Sequence, residues 1–536
     1  MKKIKNIAFI LVLLFVFQAC SKDFLELEPK TGQVEANFYK TENDAFLAVV
    51  GVYDALTVQN WQFVPTMSDI FSDDAFKGGG DATDMEQWNQ LERGLMDAEN
   101  GSAGDLWNRC YSGIYRANLY LQKQNDIAWK TDGLQARLEA ETKFIRAYLY
   151  WDLVRHYGWV PILETVLPNV EDYKNVPQNT PQEVYTFIAK DLLAAISNLP
   201  ETVSADQAGR ITKHAAKALL ARIYMFHEGF AKPVLGVGAW TDGTTTIDKA
   251  YAKQALEDVI LSGDYQLVSN YADVFKWDNE NNSESLLEFQ YSEKSNSGDW
   301  GGWGINGNFS VTWISPRDPQ GNAVYSKAGW SFSMLTWSLF DEFETGDPRK
   351  DVTFFYADDE LSQYTKAYQN TGYFNRKYIA RADFPAIGGD PVHNWRKNYI
   401  DIRYADVLLM AAELNLSDNL TKAQMYYEQV RKRALGSAHV APTLTNNEAG
   451  LDKIYHERRV EFGGEGLRKW DLLRRSFTYT TQKINASFSV AGKTDKPQDY
   501  VGYGFNPQNY GMFPIPASEI RNMNAGVFKQ FIPAYQ

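Results

Sequence analysis

Apolar positions recur every three to four residues over several long stretches of the chain, and each such stretch predicts an amphipathic helix. Thr41 to Leu56 is the first, with Thr41 and Asp44 spaced as a capping box. Asp105 to Gln124 is the second. "ARLEAETKFIRAYLYWDLVRHYG" is the strongest: Phe144, Tyr148 and Trp151 form one stripe, with Ile145, Leu149 and Leu153 beside it. Two apolar stripes on one helix imply packing on more than one side, and Gly158 ends the helix. "NTPQEVYTFIAKDLLAAISNLP" opens with Thr180 as N-cap, Pro181 at N1 and Glu183 at N3, a full start signal. "TKHAAKALLARIYMFHEGF" and "DKAYAKQALEDVILSGDY" follow, the latter with Ala252 and Ala255 small enough for close helix contact. "IRYADVLLMAAELNL" and "TKAQMYYEQVRKRALG" form another adjacent pair. Helices that start near residues 212 and 248 lie close to one tetratricopeptide period apart, about 34 residues.

Two regions break this pattern. Residues 60–100 read as irregular, with "KGGGDATD" as a loop signal. Residues 264–400 show no sustained period and are rich in Gly, Asn, Ser and Trp. Trp300, Trp303, Trp313, Trp330 and Trp337, five of the 15 tryptophans, fall in one part of it. The expected fold is therefore mainly α: a divergent helical-hairpin scaffold with an inserted, irregular, loop-rich subdomain. Its expected divisions are 1–19 as a leader, 20–40 as a linker, 41–263 and 401–536 as scaffold, and 264–400 as the aromatic subdomain. Loops carried on a rigid scaffold are where binding concentrates.

The apolar run at the start has a different meaning. Lys2, Lys3 and Lys5 precede Ile7 to Phe17, a run too short to cross a membrane and of the length of a secretory h-region. Ala19 supplies the small residue for cleavage before Cys20. The stretch resembles a bacterial lipoprotein signal, which implies that Cys20 is lipidated and tethers the mature protein; Phe17 and Gln18 depart from the strictest form of that signal. Two acyl chains suffice for stable anchoring. Cys110, the other cysteine, sits in an apolar helical stretch and reads as an inert core thiol.

Charge narrows the possible partners. Residues 1–19 hold three of the 54 Lys and Arg and none of the 67 Asp and Glu, so their removal takes the net charge from −13 to −16. Such an acidic body does not suit phosphate backbones, which excludes nucleic acid. Six histidines lie at no zinc spacing, no loop matches an EF-hand, and no cofactor motif is present. "HERRVEFGGEGLRKWDLLRR" places Glu457 and Glu461 one helical turn apart, a spacing that raises the possibility of a glycosidase pair. Five surrounding arginines would keep these carboxylates ionised, so the stretch reads as a structural ion network without catalysis.

Together these segments carry a resemblance. "QACSKDFLELEPKTG", "ETKFIRAYLYWDLVRHYGWVPIL", "TKHAAKALLARIYMF", "IRYADVLLMAAELN", "IYHERRVEFGGEGLRKWDLLRR" and "FPIPASEIRNMN", in this order and spacing, make the chain resemble the SusD/RagB family of outer-membrane lipoproteins. The resemblance implies a SusD-like fold and surface glycan binding. It also implies a lipid anchor in the outer membrane and pairing with a SusC-like TonB-dependent transporter that receives the glycan. No catalytic residue, metal or cofactor is implied. Alternatives are a peptide cargo on the same fold and, less favoured by the residues, a glycoside hydrolase.

Sugars present C–H patches that stack on aromatic faces and hydroxyls that bond polar side chains. The resemblance places the platform in two regions, near residue 88 and around residues 291 and 313. Carried over, it gives Trp88, Asn89, Tyr291, Trp313 and Ser315, with Asp73 upstream and Trp300 and Trp303 in "DWGGWGINGN" as further candidates. One ring covering about 100 Å² gains about 2.5 kcal/mol at about 25 cal/mol/Å². A few such rings give only modest affinity, which suits capture of a long polymer by a tethered protein. A flat platform would favour an extended β-glucan such as xyloglucan.

Overall fold

The structure is a computed structural model. It describes residues 38–59, 62–294, 306–325, 327, 329–385, 388, 390, 392–490 and 492–536. Cys20, the 20–40 linker up to residue 37, Trp300 and Trp303 lie outside the described residues.

The amphipathic stretches form helices close to their expected bounds. Helix α1 (Glu42–Thr57) begins with a capping box in which Thr41 and Asp44 satisfy each other's backbone N–H groups. Helix α2 is Val64–Phe71 and α3 is Glu86–Glu92. Both fall in the region expected to be irregular, together with strand β1 (Ala75–Gly78). They were illegible because each is eight residues or shorter, too short to establish a period, and Val64–Phe71 and Ala75–Gly78 are almost wholly buried, so no polar face marks them. Helix α4 (Gly101–Lys123) and α5 (Leu134–Tyr157) follow, then α6 (Pro181–Asn198) with the Thr180–Glu183 capping box in place. Helices α7 (Lys213–Phe226) and α8 (Lys249–Ser262) complete the first part of the scaffold.

Consecutive helices stack as hairpins: α4 on α5, α5 on α6, α6 on α7, and α7 on α8. Buried Ala252 and Ala255 sit on α8, as the small-residue pattern anticipated. Gly113 of α4 lets three helices converge. A Cβ there would lie 2.5 Å from Ala55 of α1 and 2.5 Å from Leu149 of α5.

Past the aromatic stretch the chain returns to the same stack. Helix α9 (Ser310–Ile314) lies within the stretch, and α10 (Tyr404–Asn415) packs on α8 and on α11 (Leu420–Leu435). Ile402 and Arg403, expected to open this helix, instead end a strand (Tyr399–Arg403), because β-branched and aromatic residues there pair with Ser285–Phe289. Helices α12 (Glu448–Phe462) and α13 (Arg468–Arg475) close the core. Among the described residues, the strands of the intervening region form short two-stranded pairings, interspersed with short helices. One of them joins β1 to strand Phe332–Leu335, with Ala75 opposite Leu335 and Gly78 opposite Phe332. The aromatic subdomain is thus held by hydrogen bonds to residues 75–78 at one edge and 399–403 at another.

Candidate functional site

The β1 pairing brings the two regions singled out for sugar binding together. Trp88 of α3 and Trp313 of α9 meet edge to face, their rings 5.4 Å apart at 76°. Trp88 also meets Phe332 at 5.1 Å, and Trp313 meets Phe309 at 5.0 Å. Both tryptophans are 0% exposed. Their faces are used by one another and by phenylalanines, so they form the floor of a site and present no face to a sugar.

The polar members of the expected set are internal as well. Asn89 accepts a hydrogen bond from Tyr503 Oη at 2.8 Å and donates to Glu86 at 3.1 Å. Tyr291 Oη accepts from Gln59 at 2.8 Å. Ser315 Oγ donates to the Val311 carbonyl and accepts from the Ala380 N–H at 2.9 Å. Asp73 is gripped by Arg468 at 2.7 Å and by Arg459 at 3.0 Å. Burial alone would raise its carboxyl, but Arg459 and Arg468 override that and hold it well below the usual range. These four residues are committed to internal partners, and burial explains why the carry-over found no surface groups. Loop context in the sequence did not reveal that the loops fold over one another.

Above this floor lies a more open surface. Trp330 is half-buried, with Phe309 against its edge at 5.1 Å and 84°. Its backbone N–H donates to Thr312 O at 2.9 Å, and its carbonyl accepts from Arg317 Nε at 2.9 Å. Arg317 also reaches Asp84 Oδ2 at 2.6 Å, and both side chains keep about a third of their surface in water (29% and 32%). Asp84 in turn accepts from the Gly80 N–H at 2.7 Å.

The glycine-rich loop makes this approach possible. Gly78 and Gly79 have φ of 72° and 83°. A Cβ on Gly78 would stand 2.2 Å from Ser331 O, and one on Gly79 would stand 2.4 Å from the Phe332 ring. Only glycine combines that backbone with that closeness. The result is a half-buried Trp330 whose carbonyl is bound by Arg317, which in turn pairs with Asp84. Such a surface can cover a C–H patch while bonding neighbouring hydroxyls. Sequence reasoning grouped Trp330 with the aromatic stretch but did not select it; its signal was a tryptophan directly after Gly329 in a segment without period. Arg317 stood in "SPRD" beside the chosen Trp313.

The Glu457–Glu461 pair is an ion network, but not with the five arginines expected around it: Arg458, Arg459, Arg468, Arg474 and Arg475 pair with other carboxylates, among them Asp406, Asp471, Asp73, Asp74 and Glu448. Arg349 contacts Glu457 at 2.6 Å and Glu461 at 2.9 Å; Arg403 contacts Glu461 at 2.6 Å; Arg431 contacts Glu457 at 2.7 Å; Arg433 also pairs with Glu461. Every one of these side chains is at most 4% exposed. Burial opposes the charge on Glu461, yet Arg433, Arg403 and Arg349 hold its carboxyl far below the ordinary range. Cys110 is buried, and burial pushes its thiol up to about 12. Among the described residues there is no cluster of metal-ligating side chains, and no helix is long and apolar enough to cross a membrane.

Comparison with known proteins gives one consistent result. Residues 23–225 match a SusD-like family described as starch-binding and associating with the outer membrane, and residues 349–535 match the SusD family, SusD/RagB. A SusD-like protein of Bacteroides ovatus is 28% identical, over 88% of this chain and 82% of that protein. A solved laminarin-binding SusD-like protein superposes with a TM-score of 0.76 at 30% identity, covering 91% of this chain and 100% of that one. Surface glycan-binding protein A of Bacteroides thetaiotaomicron, solved with laminarihexaose, superposes with a TM-score of 0.76 at 27% identity, covering 92% of this chain and 99% of its own.

Proposed function

Because this chain belongs to the SusD/RagB family, we propose that it is a cell-surface glycan-binding lipoprotein. In this reading it captures a polysaccharide or oligosaccharide by aromatic stacking and passes it to a SusC-like TonB-dependent transporter. The observation that carries the reading is the half-buried Trp330 indole beside the Arg317–Asp84 pair, on a floor built from the two regions expected to meet. The ring supplies the stacking face, and Arg317 and Asp84 supply a donor and an acceptor for hydroxyls. Trp313, which shares Phe309 with Trp330, and Trp88 against it support that surface, while Asn89, Tyr291, Ser315 and Asp73 serve internal contacts; Trp300 and Trp303 remain candidates for completing it.

A non-enzymatic role fits the chemistry. Glu457 and Glu461 are enclosed by arginines, which hold the Glu461 carboxyl low, whereas a general acid at neutral pH needs a raised pKa. Cys20 is proposed as the lipidated residue that holds this weak binder at the outer membrane. Laminarin is the first polymer to test, because two neighbours are named for laminarin or its hexasaccharide; xyloglucan is the second.

Affinity gel electrophoresis against a panel of neutral polysaccharides tests the reading. Retardation by one polymer, lost in Trp330→Ala and weakened in Arg317→Ala, is the expected result. A chain that no polymer retards, or a Trp330→Ala variant retarded like the parent, overturns it; a peptide cargo is then tested next.

A further inference from the structure

An open pocket of about 540 Å³ lies elsewhere on the molecule, between α4, the segment after α5 and the C-terminal segment. Its volume falls within the range of about 300–1,000 Å³ usual for ligand sites. One face of α4 forms its wall: Trp107, Asn108, Tyr111, Ser112 and Tyr115 recur at helical spacing and all line it. None of its lining residues belongs to the Trp330 surface.

We propose that this pocket is a second saccharide site, for a short stretch of neutral glycan; the proposal rests on the glycan-binding reading above. Both halves of sugar recognition are present. Trp107 and Tyr111 pack with ring centroids 4.9 Å apart, and Tyr111 Oη is anchored to Pro161 O at 2.8 Å, so the wall is rigid before a ligand arrives. Tyr115, 47% exposed, extends it towards solvent with an aromatic face that a sugar C–H patch can cover. Asn108 is exposed and Ser112 half-buried, a neutral donor and acceptor set at the rim.

Glu519 adds one carboxyl acceptor. Burial raises its pKa, and the neighbouring Ser518 and Trp107 side chains partly offset that by favouring its charged form. The adjacent cation, Arg116, is committed to Asp54 at 2.9 Å and to Gly51 O at 2.8 Å, which leaves the pocket poorly matched to an anion. Hydroxyls satisfy this set better than a charged group does. Two modest sites on one tethered protein would also retain a polymer longer than either site alone, since the second contact becomes intramolecular.

Calorimetric titration of the purified full chain with laminarihexaose, cellohexaose and maltohexaose tests this. The parent is expected to take up two equivalents of one probe, and Trp330→Ala one. In the Trp330→Ala background, Tyr115→Ala should weaken the remaining site at least tenfold, and Ser112→Trp, which fills the pocket, should abolish it. Residual binding that both pocket variants leave within twofold, or no residual binding in Trp330→Ala, overturns the second site while the first stands. Pocket variants that lose the only binding detected, with Trp330→Ala titrating like the parent, overturn the first site and support the second. No heat with any probe at millimolar concentration overturns both.

Discussion

Two tryptophans separate a structural role from the proposed binding role at the scale of single residues. Trp88 is sealed between Trp313 and Phe332, so Trp88→Ala removes a core ring and should cost about 3–5 kcal/mol of stability, read by chemical denaturation. Trp330 is half-buried at the surface, so Trp330→Ala should lower polymer affinity tenfold or more and leave most of the folding stability intact. Glu92 offers a test by pH. Burial raises its carboxyl to about 8, with only partial relief from the Lys77 N–H and Gln369. A carboxyl raised on folding costs stability as pH rises from the unfolded value near 4.3 towards 8. Glu92→Gln should therefore match the parent near pH 4 and exceed it near pH 8.5, as measured by denaturation midpoints.

At the scale of elements, caps and close approaches do most to set the outcome. The capping boxes of α1 and α6 were legible because the side chain and its target lie three residues apart. Thr180→Ala should cost about 1 kcal/mol, seen as a lower denaturation midpoint without loss of polymer binding. The glycine-rich loop behaves differently. Gly78→Ala places a Cβ against Ser331 O on a backbone with positive φ, so it should disturb the pairing of β1 with Phe332–Leu335 and reduce both stability and polymer retardation. Helices α2 and α3 were missed because their boundaries and burial depend on partners far away in the chain, including Gly466, whose N–H donates to Asp69 of α2 at 3.0 Å.

Across the whole molecule, buried ion pairs connect segments that the sequence divides. Glu461 of α12 draws Arg349 from the aromatic region and Arg403 and Arg433 from the C-terminal scaffold, while Arg459 and Arg468 reach back to Asp73 and Asp74. Removing one partner leaves an uncompensated buried charge, so Arg403→Met should cost about 3–5 kcal/mol. Glu461 and Asp73 have pKa values lowered on folding. The stability they contribute is complete above the unfolded carboxylate range near pH 4 and is lost as pH falls below it through their folded values. Thermal melts between pH 7 and pH 2 should show that loss below pH 4, and it should be smaller in Glu461→Gln. In cells, Cys20→Ala should shift the protein from the membrane fraction to the soluble fraction; retention in the membrane would count against the proposed tether.

The sequence by itself determined the helical scaffold, its caps and the family. All of these depend on local periodicity or on ordered segments, which a linear reading preserves. It also identified the two regions that meet around residues 88 and 313, through the resemblance. Only the tertiary structure decided which tryptophan faces outward. Exposure depends on what covers a side chain, and Trp88 and Trp313 are covered by each other and by Phe332 and Phe309. Trp330, with Phe309 against its edge, is left half-buried, whereas Trp88 is covered by residues more than 200 positions away in the chain.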